Sequence, residues 1–229
     1  MKHFTSIAES RGTIRLPKPI GTRVIMMPFF IHDLSTIPVN LTKYLPTIVA
    51  MLKLAPNHIE AYKDTPAYLT IDERFVQAGT IQRNPGLHVD GMYQGTFAGP
   101  WSHTDPGSWG SVGNGMLIVS NVSQSVAVYT GDFSGSPIND GDCEHLRGQL
   151  VGKKMILPKA GEVIWADGLN VHESLPMIAS GVRQFIRISM PNDGVWFEDY
   201  THNPLGVKPK GKILPARLPS QRKLYGKEQ

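Results

Sequence analysis

The sequence predicts a mainly β domain, a barrel or sandwich buttressed by helices near its N-terminus, and three observations predict it. Short runs rich in β-branched and aromatic residues recur after Pro66, each cut off by Gly, Asn, Asp or Pro. Apolar residues at helical spacing are confined to the stretch before Pro66. Gly and Pro number 23 and 18 of 229 residues, so turns are frequent and long helices few. A chain of this length supports one hydrophobic core, so a single domain is expected, in three parts. Residues 1–65 hold a strand and helices, 66–191 the β core, and 192–229 a basic C-terminal extension.

The elements follow in chain order. "RVIMMPFF" (23–30) reads as a strand. In "LTKYLPTIVAMLKLAPNHIEAYK" (41–63), Leu45, Ile48, Val49, Leu52 and Ile59 fall at helical spacing. Two short helices broken at Pro56 fit that pattern, with Pro46 in the first turn, where its missing N–H costs nothing. Six strand-like runs come next: "AYLTI", "RFVQAGTIQR", "GMLIVSN", "SVAVYTG", "EVIWA" and "RQFIRISM". The interval 93–115 is too long and Gly-rich for a passive turn and reads as a lid or binding loop.

Composition removes several classes. Cys143 is the single cysteine, so no intrachain disulfide forms and a reducing, cytoplasmic setting is expected. The start "MKHFTSIAES" lacks an apolar signal region, and the most apolar stretch, "LPTIVAMLKLA", is broken by Lys53 and too short to span a membrane. The net charge of +4 is unevenly spread: from Gly206 onward there are seven Lys/Arg and one Glu, against sixteen and eighteen before it. Such a tail reads either as a nucleic-acid contact or as a solvated extension strapped across the domain.

The chemistry gathers at two distant stretches, "GLHVDG" (86–91) and "GLNVHES" (169–174). On extended chain, residues i and i+2 share a face, so His88 and Asp90 project together while Val89 turns away. A second imidazole, His172, would complete a two-histidine, one-carboxylate set, which leaves coordination positions open and suits Fe(II) better than structural zinc. "HTD" at His103–Asp105 is a rival motif, set in a Gly-, Pro- and Trp-rich loop that fixes side chains less well. On the "RQFIRIS" run, Arg183, Phe185, Arg187 and Ser189 share one face and Ile186, Ile188 and Met190 the other. Two inward arginines demand an anion, and a carboxylate fits the guanidinium fork. Cys143 and His145 have no second pair to complete a metal site.

His88-x-Asp90, then His172, then Arg187-x-Ser189 fifteen residues later resembles the Fe(II)/2-oxoglutarate-dependent dioxygenase superfamily, over about residues 66–191. The resemblance implies a double-stranded β-helix, or jelly-roll, related to the cupins. It implies Fe(II) held by His88, Asp90 and His172, with 2-oxoglutarate gripped by Arg187 and Ser189. O2 would be the second cosubstrate, and a C–H bond would be hydroxylated with release of succinate and CO2. Arg183 is the alternative 2-oxoglutarate anchor and otherwise meets the substrate, together with Tyr93, Trp101, His103 and Trp109 of the 93–115 loop. The expected partner is a small molecule. A nucleobase in DNA or RNA is the second possibility, and a non-catalytic metal-binding jelly-roll the third. Oligomeric state is left open.

Overall fold

The alternation of side chains along two central strands sets the layering of this molecule. The computed structural model describes residues 3–56, 64–90, 92–93, 96–97, 115–138, 141–190, 195–210 and 212–216. In chain order they form β1 (His3–Ser6), β2 (Ala8–Thr13), β3 (Arg23–Phe29), α1 (Leu45–Lys53) and β4 (Ala67–Val76). The pair β5 (Met92–Tyr93) and β6 (Thr96–Phe97) follows, then β7 (Gly115–Ser120), β8 (Val126–Ser134) and β9 (Lys154–Ile156). The chain continues through β10 (Glu162–Asp167), β11 (Val171–Ser174) and β12 (Gly181–Ser189) to β13 (Val195–Phe197) and β14 (Lys212–Leu214).

Two antiparallel sheets carry the fold. The larger runs β2-β10-β7-β12-β4-β3, and the smaller joins β8 to β1, β9 and β11. On β7, Leu117 and Val119 face one way, and on β12 Ile186 and Ile188 join them in a cluster with Ile48 and Met51 of α1. The opposite faces, Met116 and Ile118 of β7 and Phe185 of β12, pack with Val128 of β8 between the sheets. A third cluster, with Phe4, Val89, Phe133 and Cys143, covers the far side of the smaller sheet. The larger sheet is thus buried on both faces, which explains the unbroken apolar run of β7. The Cys143 thiol is pushed up to about 12 by burial, then by Asp142, as suits an inert core residue.

Mainly β architecture with a small N-terminal helix agrees with the sequence reading. Pro46 lies in the first turn of α1, a 3₁₀ segment over Val39–Tyr44 leads into it, and the helix ends before Pro56. The second expected helix and the greater part of the 93–115 loop lie outside the described residues. Three features depart from expectation. "AYLTI" and the start of "RFVQAGTIQR" form one strand, β4, because the charges that seemed to divide them are buried with partners. Asp72 meets Arg74 and Arg83, and Glu73 accepts from the Tyr44 hydroxyl and the Gln184 amide. Residues 77–83 leave the sheet as turns. The polar stretch 3–13 forms two edge strands, Phe4, Ser6 and Ala8 pointing inward. Part of the basic extension is docked: Trp196 donates from Nε1 to the Met26 carbonyl, and the Asn203 amide donates to Pro28 and Thr36 carbonyls. No described helix is long and apolar enough to cross a membrane.

Candidate metal centre

The pairing of two short segments builds the centre. His88 and His172 stand directly opposite each other as an antiparallel pair, each donating its N–H to the other's carbonyl at 2.9 Å. Residues opposed in this way project to the same face, and the rings lie 4.4 Å apart between centroids. Asp90, two residues beyond His88, joins that face, while Val89 turns into the core. One ligand atom from each of His88, Asp90 and His172 lies within 4.8 Å of the others, so the three can share one ion.

The ring tautomers suit that task. The Nδ1 atoms of His88 and His172 lie 2.8 and 2.9 Å from the Gly86 and Asn170 carbonyls. A carbonyl only accepts, so each Nδ1 carries the proton and each Nε2 keeps its lone pair for a metal. Burial pushes the His172 ring down to about 4, with His88 adding to the shift, so it is neutral and ready to ligate near pH 7. Burial alone would raise the Asp90 carboxyl, but Arg187, then His172, His88 and Arg83, hold it well below the usual carboxylate range. The donor set, two buried imidazoles with Nε2 lone pairs free and a half-buried ionised carboxylate, fits a divalent ion such as Fe(II).

A bracket on the outer side fixes this pair. Glu144 accepts from the Leu87 N–H at 2.7 Å, just before His88, and Glu173 follows His172. Arg147 donates to both carboxylates, through Nε to Glu144 at 2.7 Å and Nη2 to Glu173 at 2.8 Å, and the Tyr129 hydroxyl completes the Glu173 shell. The Arg147 hydrogen bonds, together with the Leu87 N–H, hold Glu144 at about 2 against its partial burial. Gly141 backs the motif from the other side: it accepts from the Val89 N–H, and a Cβ there would stand 2.1 Å from the Val89 carbonyl oxygen. Its φ of +92° is one that glycine adopts freely.

The centre opens on a cleft between the sheets, into which Arg83, Arg183 and Arg187 all face. Arg187 donates from Nη1 to Asp90 at 2.5 Å, and its Nη2 lies 3.1 Å from the Met26 sulfur. Ser189 is also turned to that sulfur, at 3.7 Å. Met26 gets there through a bulge in β3, where its φ is +50°. Arg187 and Ser189 are therefore already engaged. Arg183 is 1% exposed, and among the described residues no carboxylate lies within ion-pair reach of it. Its Nε donates to Ser120 Oγ at 3.3 Å, and its head lies 5.4 Å from the Phe185 ring centre. Burial pushes this guanidinium down to about 10, with Arg83 adding to the effect.

Of the residues singled out from sequence, His88, Asp90, His172, Arg183 and Arg187 meet around one cleft, and Ser189 sits at its Met26 end. The Tyr93 side chain, Trp101, His103 and Trp109 lie outside the described residues, as does the rival Asp105. His145 is exposed while Cys143 is buried, so they point apart. Asp167, five residues before His172, is buried. Sequence reasoning missed Arg83, although an arginine five residues before His88 was visible in "QRNPGLHVD". It also missed the Glu144–Arg147–Glu173 bracket, which no local spacing betrays.

Fold and site together give a two-histidine, one-carboxylate group able to hold a metal ion on a mainly β scaffold. No family model matches the chain, and no curated protein matches it. Among solved structures it is similar to an apo form of ThoJ, a non-heme monooxygenase, at 12% identity and a TM-score of 0.33, over 83% of this chain and 76% of that one. A superposition that loose carries no argument about either chain's chemistry.

Proposed function

We propose that this chain is a non-haem Fe(II)- and 2-oxoglutarate-dependent oxygenase that hydroxylates a C–H bond of a small molecule. One observation carries the reading: His88, Asp90 and His172 converge with their ligand atoms within 4.8 Å. Two imidazoles and one carboxylate on one side of an ion leave positions for small ligands, the donor chemistry of oxygen-activating iron enzymes. Strand order supports a jelly-roll: β10-β7-β12-β4 in one sheet, and β9-β8-β11 followed by the His88 segment in the other. Fe(II) with 2-oxoglutarate and O2 supplies the oxidising chemistry, with succinate and CO2 as products.

The chain's own residues position and neutralise. Arg187 holds the free oxygen of Asp90 and thereby aims the other at the ion. A guanidinium bonded to a ligand carboxylate is too close to the ion to hold the far acid of a keto acid chelated at its opposite end. Arg183, four residues along the strand and about 13 Å away at the backbone, is placed for that role, and the role passes to it from Arg187. The acid restores the charge balance of a guanidinium that burial leaves costly. Ser120 Oγ accepts from Arg183 and from the Val122 N–H, so its own proton is available to the same acid. Met116, Ile118 and Phe185 line the cleft and limit water.

The test is turnover. Protein loaded anaerobically with Fe(II) and then given O2 and 2-oxoglutarate should release succinate slowly without further substrate, and His172→Ala should abolish release. Iron-loaded protein that neither binds nor consumes 2-oxoglutarate would be a metal-binding β domain without oxygenase activity. Salt-sensitive DNA binding would move the substrate to a nucleobase.

A further inference from the structure

The cleft holds more positive charge than one dicarboxylate cosubstrate requires, and the excess has a location. Among the described residues, the carboxylates within ion-pair reach of its arginines are Asp90 and Asp72. Asp90 is taken by Arg187 at 2.5 Å. Asp72, 1% exposed, is shared: Arg74 holds it at 3.2 Å from outside the cleft, and Arg83 reaches the same oxygen at the longer 3.5 Å. Two guanidiniums on one carboxylate leave one charge over. Arg74 also donates to the Gln82 carbonyl, which anchors it, whereas the Arg83 head lies over the Phe185 ring, 5.3 Å from its centre, on the cleft wall. Asn84 lines the wall beside it.

We infer that Arg83, with Asn84, forms a second acid-binding subsite, and that the substrate carries a carboxylate which it receives. The inference rests on the proposed function for one step only, the assignment of Arg183 to the cosubstrate. An oxygenase whose cosubstrate satisfies Arg183 still has a guanidinium facing the reacting space that, among the described residues, is matched only by the shared Asp72, and a planar fork half released from Asp72 matches a single carboxylate. A neutral substrate would leave that charge half-buried and matched only by the shared Asp72, at a cost in affinity. The subsite fixes orientation too: it tethers the substrate by its acid and presents carbons a fixed distance from that acid to the metal.

Mn(II)-loaded protein titrated with hexanoate and with hexanamide provides the test, since the bound ion broadens the NMR lines of any molecule held beside it. Each titration is run with and without N-oxalylglycine, a non-reacting 2-oxoglutarate analogue. Hexanoate should show saturable broadening while hexanamide shows none. Arg83→Gln should weaken hexanoate about tenfold or more, the loss of a charge-assisted hydrogen bond, and leave N-oxalylglycine within about threefold. Arg83→Lys should fall between, and serves if the glutamine variant misfolds. Equal broadening by acid and amide overturns the subsite, as does an Arg83→Gln variant that loses N-oxalylglycine and not hexanoate. Failure of N-oxalylglycine to bind removes the cosubstrate reading alone, because the acid-against-amide contrast without it still decides the subsite.

Discussion

The two arginines that β12 turns inward sit four residues apart on one face, yet they live in opposite circumstances. Arg187 has its charge matched: one nitrogen is on Asp90 and another against the Met26 sulfur, with Nε buried and without a partner among the described residues. Arg183 is more deeply buried, has a hydroxyl and a ring for company, and among the described residues has no ion-pair partner. A buried cation without a counter-charge costs several kcal/mol unless a ligand supplies one. The contrast teaches that the arginine beside the candidate ligand carboxylate already has its counter-charge, and that its poorly matched neighbour is the better marker of a ligand.

The hardest test of that contrast is to remove the partner that only one of the two possesses. Asp90→Ala should abolish Fe(II) or Mn(II) binding and also destabilise the fold by about 3 kcal/mol, because Arg187 is left buried and unmatched. Adding Arg187→Met should recover stability in urea unfolding without recovering metal; equal stability of the single and double variants would show that the pair does not matter. Arg183→Gln is expected to do the reverse. It should keep the metal and weaken 2-oxoglutarate by on the order of 2–5 kcal/mol, read by calorimetry on the Mn(II) protein. A similar loss from Arg187→Gln with metal still bound would return the anchor to that position.

Smaller effects probe the frame around both. Arg147→Ala should weaken metal binding about tenfold to a hundredfold through slackening of the two histidine segments, and shift the visible spectrum of the Co(II) form. A change in unfolding midpoint alone would mark the bracket as merely structural. Smallest is a pH effect at Asp167. Burial raises its carboxyl from 3.8 to about 7, against the pull of the Ile7 and Leu169 N–H groups, and its Oδ2 has no partner among the described residues. A folded value above the unfolded one favours the protonated form, so its contribution to stability is full below about pH 4 and lost as pH rises through about 7. Asp167→Asn should flatten stability over that window and narrow the gap to wild type at pH 8 by about 1–3 kcal/mol.

Much of this was legible in the chain. Period-two alternation in "RQFIRIS" assigned every face of β12 correctly, and the i, i+2 rule put His88 and Asp90 together, because both depend on local backbone geometry alone. What stayed hidden depends on distant partners. Strand β1 pairs with β8 across more than 120 residues, and its own sequence, "HFTS", is too short and polar to announce a strand. The division of labour between Arg183 and Arg187 was equally invisible. It hangs on the β3 bulge, which turns Met26 toward one end of β12 and not the other.

One consequence concerns the order of events at the ribosome. Residues 3–13 are made long before their partners: β1 must wait for β8 and β2 for β10, while Ser6 receives the N–H of Val171 at 2.9 Å, one position before the second histidine of the candidate site. Nascent chains halted before β8 hold two unpaired strands and two of the three candidate ligands. A metal ion offered during synthesis would meet an incomplete set of ligands until His172 has joined His88.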